Sequence, residues 1–139
     1  MAVNTKPMFV GKTNGKGTTW TNSDAANTKK TIFTGGASEG SMLTAIAVTS
    51  SDTSDRVFNI YLNDGSTDFL IGSKTVTAGV GVAAASGLNL LADTTAFPWL
   101  SPDGLLVPYG WVVKLENATQ VTSGKTVTVV ALGGDFVLG

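Results

Sequence analysis

From Lys29 onward the chain alternates apolar and polar positions with a period of two, interrupted every 8–12 residues by turn-forming clusters. That period turns successive side chains to opposite faces of a strand. Residues 30–34 (KTIFT) form the first run, closed by Gly35-Gly36. In residues 41–49 the alternation places Met42, Thr44, Ile46 and Val48 on one face and Leu43, Ala45 and Ala47 on the other. Both sets are apolar enough for a central strand. Residues 50–55 (SSDTSD) are a turn, and residues 56–62 point Phe58, Ile60 and Leu62 inward with Val57, Asn59 and Tyr61 outward. Asn63-Asp64-Gly65 predicts a type I′ hairpin, because Asp-Gly tolerates positive φ. Residues 67–77 return as its partner, with Gly72 as a candidate bulge.

The second half continues in the same way. Residues 78–87 are a small-residue connection, and residues 88–92 predict a helical turn. Phe97-Pro98-Trp99-Leu100 reads as an irregular plug over one end of a sandwich. Residues 105–107 and 109–116 predict two strands broken at Pro108, with Trp111, Val113 and Leu115 on one face. Residues 125–132 are the last strand, before Gly133-Gly134-Asp135-Phe136 closes the chain. Seven to eight short strands with little helix predict an all-β protein, an antiparallel β-sandwich or jelly roll.

Residues 1–28 lack this pattern. They are rich in Gly, Lys, Asn and Thr, with Trp20 the one large apolar residue of the stretch 11–30. They read as an extended N-terminal arm or edge strand docked through Trp20, with Met8 and Phe9 as further anchors. A lone Trp in a polar run needs a pocket for its ring. The expected organisation is therefore an arm over 1–28 and a sandwich over 29–139.

Composition adds two points. Apolar residues make up 42% of the 139 positions, enough for a core, while charged residues make up only 14%. So little surface charge suggests a surface covered by neighbouring subunits. Net charge is −1, yet the first thirty residues carry about +4 (Lys6, Lys12, Lys16, Lys29 and Lys30 against Asp24) and the rest about −5. A basic arm of this kind suits an acidic neighbour.

The candidate chemistry is thin. Without Cys or His, thiolate nucleophiles, zinc-thiolate sites and the commonest general base are absent. The carboxylates Asp52, Asp55, Asp64, Asp68, Asp93, Asp103 and Asp135 are scattered among Ser, Thr and Gly, where local turn bonding explains them better than a catalytic pair. Residues 63–68 lack the ligand alternation of a calcium loop. Gly11-Lys12-Thr13 lacks the upstream Gly and following helix of a phosphate loop. The Lys-rich start contains no Arg and the chain is acidic overall, which argues against nucleic acid. No stretch of about 20 apolar residues exists to span a membrane. The expectation is a protein that is not an enzyme and needs no cofactor or metal. The aromatics Phe97, Trp99, Tyr109 and Trp111 read as a core or subunit-interface cluster, joined by Phe9 and Trp20 as interface anchors, with a sugar-binding platform as the alternative.

Several segments together resemble a family of small virion proteins of tailed bacteriophages. They are residues 20–24 (WTNSD), 29–34 (KKTIFT), 48–56 (VTSSDTSDR), 68–72 (DFLIG), 90–93 (LLAD), 97–100 (FPWL), 121–125 (VTSGK) and 130–136 (VALGGDF). The resemblance implies a capsid decoration or cement protein, made in the host cytoplasm and carried on the capsid surface. Its implied partners are itself, as a homotrimer, and the major capsid protein. A tail or fibre component would share the same fold class.

Overall fold

The computed structural model describes residues 8–36, 39–82, 87–92, 97–101 and 103–138. The described residues form strands β1 (Met8–Thr21), β2 (Lys29–Thr34), β3 (Ser41–Ser50), β4 (Arg56–Asn63) and β5 (Asp68–Val76). Then come β6 (Leu88–Asn89), a single 3-10 turn (Leu90–Ala92), β7 (Leu105–Val107), β8 (Val112–Asn117) and β9 (Thr126–Leu138). The protein is all-β, and its two antiparallel sheets pack face to face as a β-sandwich. One sheet runs β1-β9-β3-β6, with β7 also on β3; the other runs β2-β8-β4-β5. The pairings nest: β1 with β9, β2 with β8, β3 with β6 and β7, and β4 with β5. Cross-pairs β3–β9 and β4–β8 then close each sheet.

Burial follows the alternation. Trp20, Ile32, Phe33, Phe58, Ile60, Val113, Leu115, Val127 and Val129 fill the space between the sheets. Each large side chain removed from water contributes about 1.5–3 kcal/mol. In β3 the expected faces hold only in part. Between Leu43 and Ala45 the register against β9 slips by one residue, leaving Thr44 as an extra. The bulge lets Leu43, Ile46 and Val48 all point inward, whereas simple alternation puts Leu43 opposite the other two. The Thr44 hydroxyl donates to the Leu132 carbonyl at 2.9 Å, and glycine at 133 permits the close approach, since a Cβ there would stand 2.1 Å from the Met42 carbonyl oxygen.

Residues 8–21, expected as an arm or edge strand, are the edge strand. Thirteen of them pair with β9, and the Trp20 side chain is fully buried. The sandwich expected to start at residue 29 therefore takes in β1 as well. The last strand also runs on past Leu132 through Gly133, Gly134 and Asp135, because β1 and β3 supply partners on both sides. Asp135 is consequently not a turn residue: it is buried in β9 and accepts bonds from Ser41 Oγ (2.6 Å) and Asn14 Nδ2 (2.9 Å).

The β4–β5 hairpin differs from the two-residue type I′ turn. Four residues connect the strands, and only Gly65 takes positive φ. Asp64 instead uses its carboxylate, accepting from the Ser66 (3.0 Å) and Thr67 (2.9 Å) amides. These bonds hold its carboxyl below the usual range. Gly72 does mark a bulge, with Ile71 as the extra residue. Pro108 breaks the strands as expected, and the break carries the chain from one sheet to the other.

Candidate interaction surface

The sandwich turns two unlike faces to solvent. On β2-β8-β4-β5 the outward polar side chains satisfy one another, while Val57 and Leu70 stand exposed on the same face. Glu116 accepts from Asn59 Nδ2 (2.9 Å) and the Tyr61 hydroxyl (3.0 Å), and Asn59 accepts from the Ser73 hydroxyl (2.6 Å). Asp68 gathers Asn63 Nδ2 (2.7 Å), Lys29 Nζ (2.9 Å) and Lys114 Nζ (3.3 Å). The Asn63 amide and then Lys29, outweighing partial burial, lower its carboxyl to about 2. Lys29 also lies 4.3 Å from the Tyr61 ring centre. Burial first, and the neighbouring Glu116 second, push the Tyr61 phenol up. This network links all four strands and leaves its charges matched.

The outer face of β1-β9-β3 is of another kind. Its cross-strand rows, read through the register, are Thr19–Thr128–Thr49, Gly17–Val130–Ala47, Gly15–Leu132–Ala45 and Thr13–Gly134–Met42–Leu106. None of these positions carries a charge. Leu132 is 50% exposed and Leu106 is 56% exposed. Gly15, Thr44, Leu132 and Gly133 line a shallow hollow in the middle of the face. The pattern behind it lies in residues 11–21, where Gly and Thr occupy every odd position and Lys, Asn, Thr and Trp the even ones. It is an alternation of small against large side chains, which a search for hydrophobic periodicity passes over.

The expected interface aromatics fall into separate environments. Trp20 is buried, edge-on to Phe58 at 5.1 Å, with its indole N–H donated to the Thr28 carbonyl. Phe97 is buried too, so these two rings belong to the domain's own core and are not anchors for a neighbour. Trp99 is 54% exposed and stands edge-on to Phe97 at 6.0 Å; Tyr109 is 67% exposed. Trp111 is half-buried, packed against the core beside the start of β8. Phe9 lies on β1 opposite Val137, and its side chain falls outside the described residues.

A cleft of about 330 Å³ opens where β6 and β7 leave the bulged middle of β3 uncovered. Thr44, Asn89, Leu91, Phe97, Leu100 and Ser101 line it. Asn89 Oδ1 is already engaged by the Ile46 and Leu91 amides, both at 3.1 Å.

Asp52 and Asp24 are structural in their bonding. Asp52, 1% exposed, binds Arg56 and the Thr122 amide and hydroxyl; Asp24 accepts from the Thr21 amide and pairs with Lys30. Among the described residues no group of three or more His, Cys, Asp or Glu stands together to hold a metal. Comparison with protein-family models, with curated proteins and with solved structures gave no match.

Proposed function

We propose that this protein is a non-enzymatic structural component of a virion, a decoration or cement protein that sits where major capsid subunits meet. One observation carries the reading: the outer face of β1-β9-β3 is uncharged across its four rows while exposing Leu132 and Leu106. Covering such a face strips no ion of its hydration, so another protein can bury it at little desolvation cost. The opposite face also exposes Leu70 and Val57, but it carries the charged groups Lys29, Asp68, Lys114 and Glu116, which covering would desolvate. The nested pairing of strands supports reading the sandwich as a jelly roll, an architecture used by viral capsid and lectin domains. The resemblance of residues 18–136 to small phage virion proteins supplies the setting. There a homotrimer, each copy covering more than about 1,000 Å², stabilises the assembled shell by binding it in preference to free subunits.

The test is to image particles at subunit resolution and to compare wild type with Leu132→Glu. The variant is expected to fold with stability changed by less than about 0.5 kcal/mol and to lose association with particles. Undiminished association rejects the face, and wild-type protein absent from the head rejects the cement role in favour of a tail or fibre position.

A second reading has its own observation. Trp99 and Tyr109 are exposed, and Trp99 packs edge-on against Phe97, which lines the cleft with Asn89, Thr44 and Ser101; an exposed ring of this kind suits stacking of a sugar ring. Glycan titration followed by tryptophan fluorescence tests it, with Trp99→Ala expected to abolish the response.

A further inference from the structure

Among the described residues β1 is paired on one side only. Its other edge lies free at the end of the sheet. The Thr19 carbonyl shows how that edge is oriented, since it accepts from Lys30 Nζ at 2.7 Å, and the Thr21 amide and carbonyl likewise turn outward to bond Asp24. Thr19 and Thr128 are thus a non-hydrogen-bonded pair, in keeping with hydroxyl oxygens 3.4 Å apart. Alternation then turns the N–H and C=O groups of Gly17, Gly15 and Thr13 to the same free edge. An unpaired run of this kind is a template for another strand.

Two further observations say what fits there. The first is Gly17. A Cβ at Gly15 would stand 2.9 Å from the Ala131 carbonyl oxygen, so glycine at 15 follows from internal packing. A Cβ at Gly17 would meet nothing within 4 Å, and its φ is not positive. Glycine weakens a strand, and where neither packing nor backbone angle requires it, it marks a place where another backbone comes close. The second is charge. Lys12 and Lys16 share the other side of β1, both exposed, and among the described residues neither makes an ion pair. Lysines on an edge repel basic strands, disfavour apolar ones that would desolvate the ammonium groups, and select acidic ones. They also oppose pairing of β1 with β1 of a second copy, which would bring four ammonium groups onto one face.

We propose that the free edge of β1 from Thr13 to Gly17 accepts an extended acidic segment of a partner polypeptide as an added strand, with carboxylates four residues apart set against Lys12 and Lys16. Backbone bonds supply the hold and the two ion pairs set register and partner choice. The inference does not depend on the virion reading, because the edge takes such a segment whatever assembly provides it.

The experiment titrates the full-length protein with a fluorescent octapeptide of alternating Thr and Glu, read by anisotropy. Two control peptides are used, one N-methylated at alternate amides and one with Lys in place of Glu. Binding by the Glu peptide is expected, weakened about tenfold or more by N-methylation, a loss of about 1.4 kcal/mol or more. The double variant Lys12→Glu/Lys16→Glu, altered only at exposed side chains, is expected to reverse the preference toward the Lys peptide. Binding that survives N-methylation overturns strand addition and leaves a charge patch. No binding of the Glu peptide up to about 1 mM overturns the proposal outright. Sedimentation showing a dimer of the free protein that Gly17→Pro abolishes assigns the edge to a second copy instead, and overturns it as well.

Discussion

Asp52 and Arg56 form a largely buried ion pair within the β3–β4 corner, with Arg56 Nε 2.7 Å from Asp52 Oδ2, and both side chains bond Thr122 in a loop far along the chain. The same carboxylate accepts the Thr122 amide (3.0 Å) and hydroxyl (2.7 Å), and the Asp52 carbonyl accepts the Gly79 amide. Three connections therefore meet at one residue, two through its side chain and one through its backbone carbonyl. Asp52→Ala leaves the guanidinium and the Thr122 amide without their partner, so the expected loss is about 3–5 kcal/mol in chemical denaturation. A loss below about 1 kcal/mol would show that the corner holds without the pair.

Acid should loosen the fold through the same group. Burial pushes the Asp52 carboxyl up, but Arg56 and the Thr122 donors more than offset it and hold it well below the usual range. Asp68 is lowered to about 2. For both, the unfolded chain takes up protons near its ordinary value of 3.8 while the folded chain does not. Stability from these groups is thus complete above about pH 5 and is lost as pH falls through 4 toward their folded values. Denaturation midpoints between pH 2 and 6 should fall on acidification, with a shallower slope in Asp68→Asn. An unchanged slope in that variant would detach Asp68 from the acid response.

Gly72 and Phe97 make a second dependence. A Cβ at Gly72 would stand 2.4 Å from Phe97 Cε1, so the bulge in β5 is shaped to receive the ring. Gly72→Val is expected to destabilise by about 1–3 kcal/mol through overpacking. Pairing it with Phe97→Leu should recover part of that loss, and a double-mutant cycle reads the coupling. Additive effects would mean that the ring and the bulge do not meet in solution.

How much of this was legible follows from how far each signal reaches along the chain. β2 and β4 follow from alternation because their inner faces are plainly apolar, as Phe33, Phe58 and Ile60 illustrate, and β5 follows from the hairpin signal at Asn63-Asp64-Gly65. The bulge at Thr44 was hidden, since it depends on β9 bringing Gly133 against the Met42 carbonyl. β1 looked like a polar arm because its odd positions hold Gly and Thr; only the register with Val130 and Leu132 turns them into one side of an uncharged face. The turn at Asp64 was placed correctly and its type was not, because the carboxylate satisfies the amides that a type I′ turn would leave to geometry. The role of Asp52 needed Thr122, 70 residues away. Of the expected aromatic cluster only the Phe97–Trp99 contact is present; a loop and a crossing between sheets separate that pair from Trp111 on the far side of the break.

The aromatics now sort by energy. Trp20 is fully buried against Phe58, and its indole N–H is bonded to the Thr28 carbonyl, so Trp20→Ala should cost about 3–5 kcal/mol. Trp99→Ala and Tyr109→Ala remove rings that are more than half exposed, and should change stability by less than about 0.5 kcal/mol. Trp111→Ala should fall between, since that ring is only partly packed on the core. Deleting residues 1–17 would remove most of β1 and uncover one side of β9, so that truncation should destabilise the domain as well as weaken any docking. Guanidinium unfolding of the four variants checks the order. If Trp20→Ala and Trp99→Ala unfold at the same midpoint, β1 does not contribute its Trp to the core, and residues 8–21 act as a separate arm.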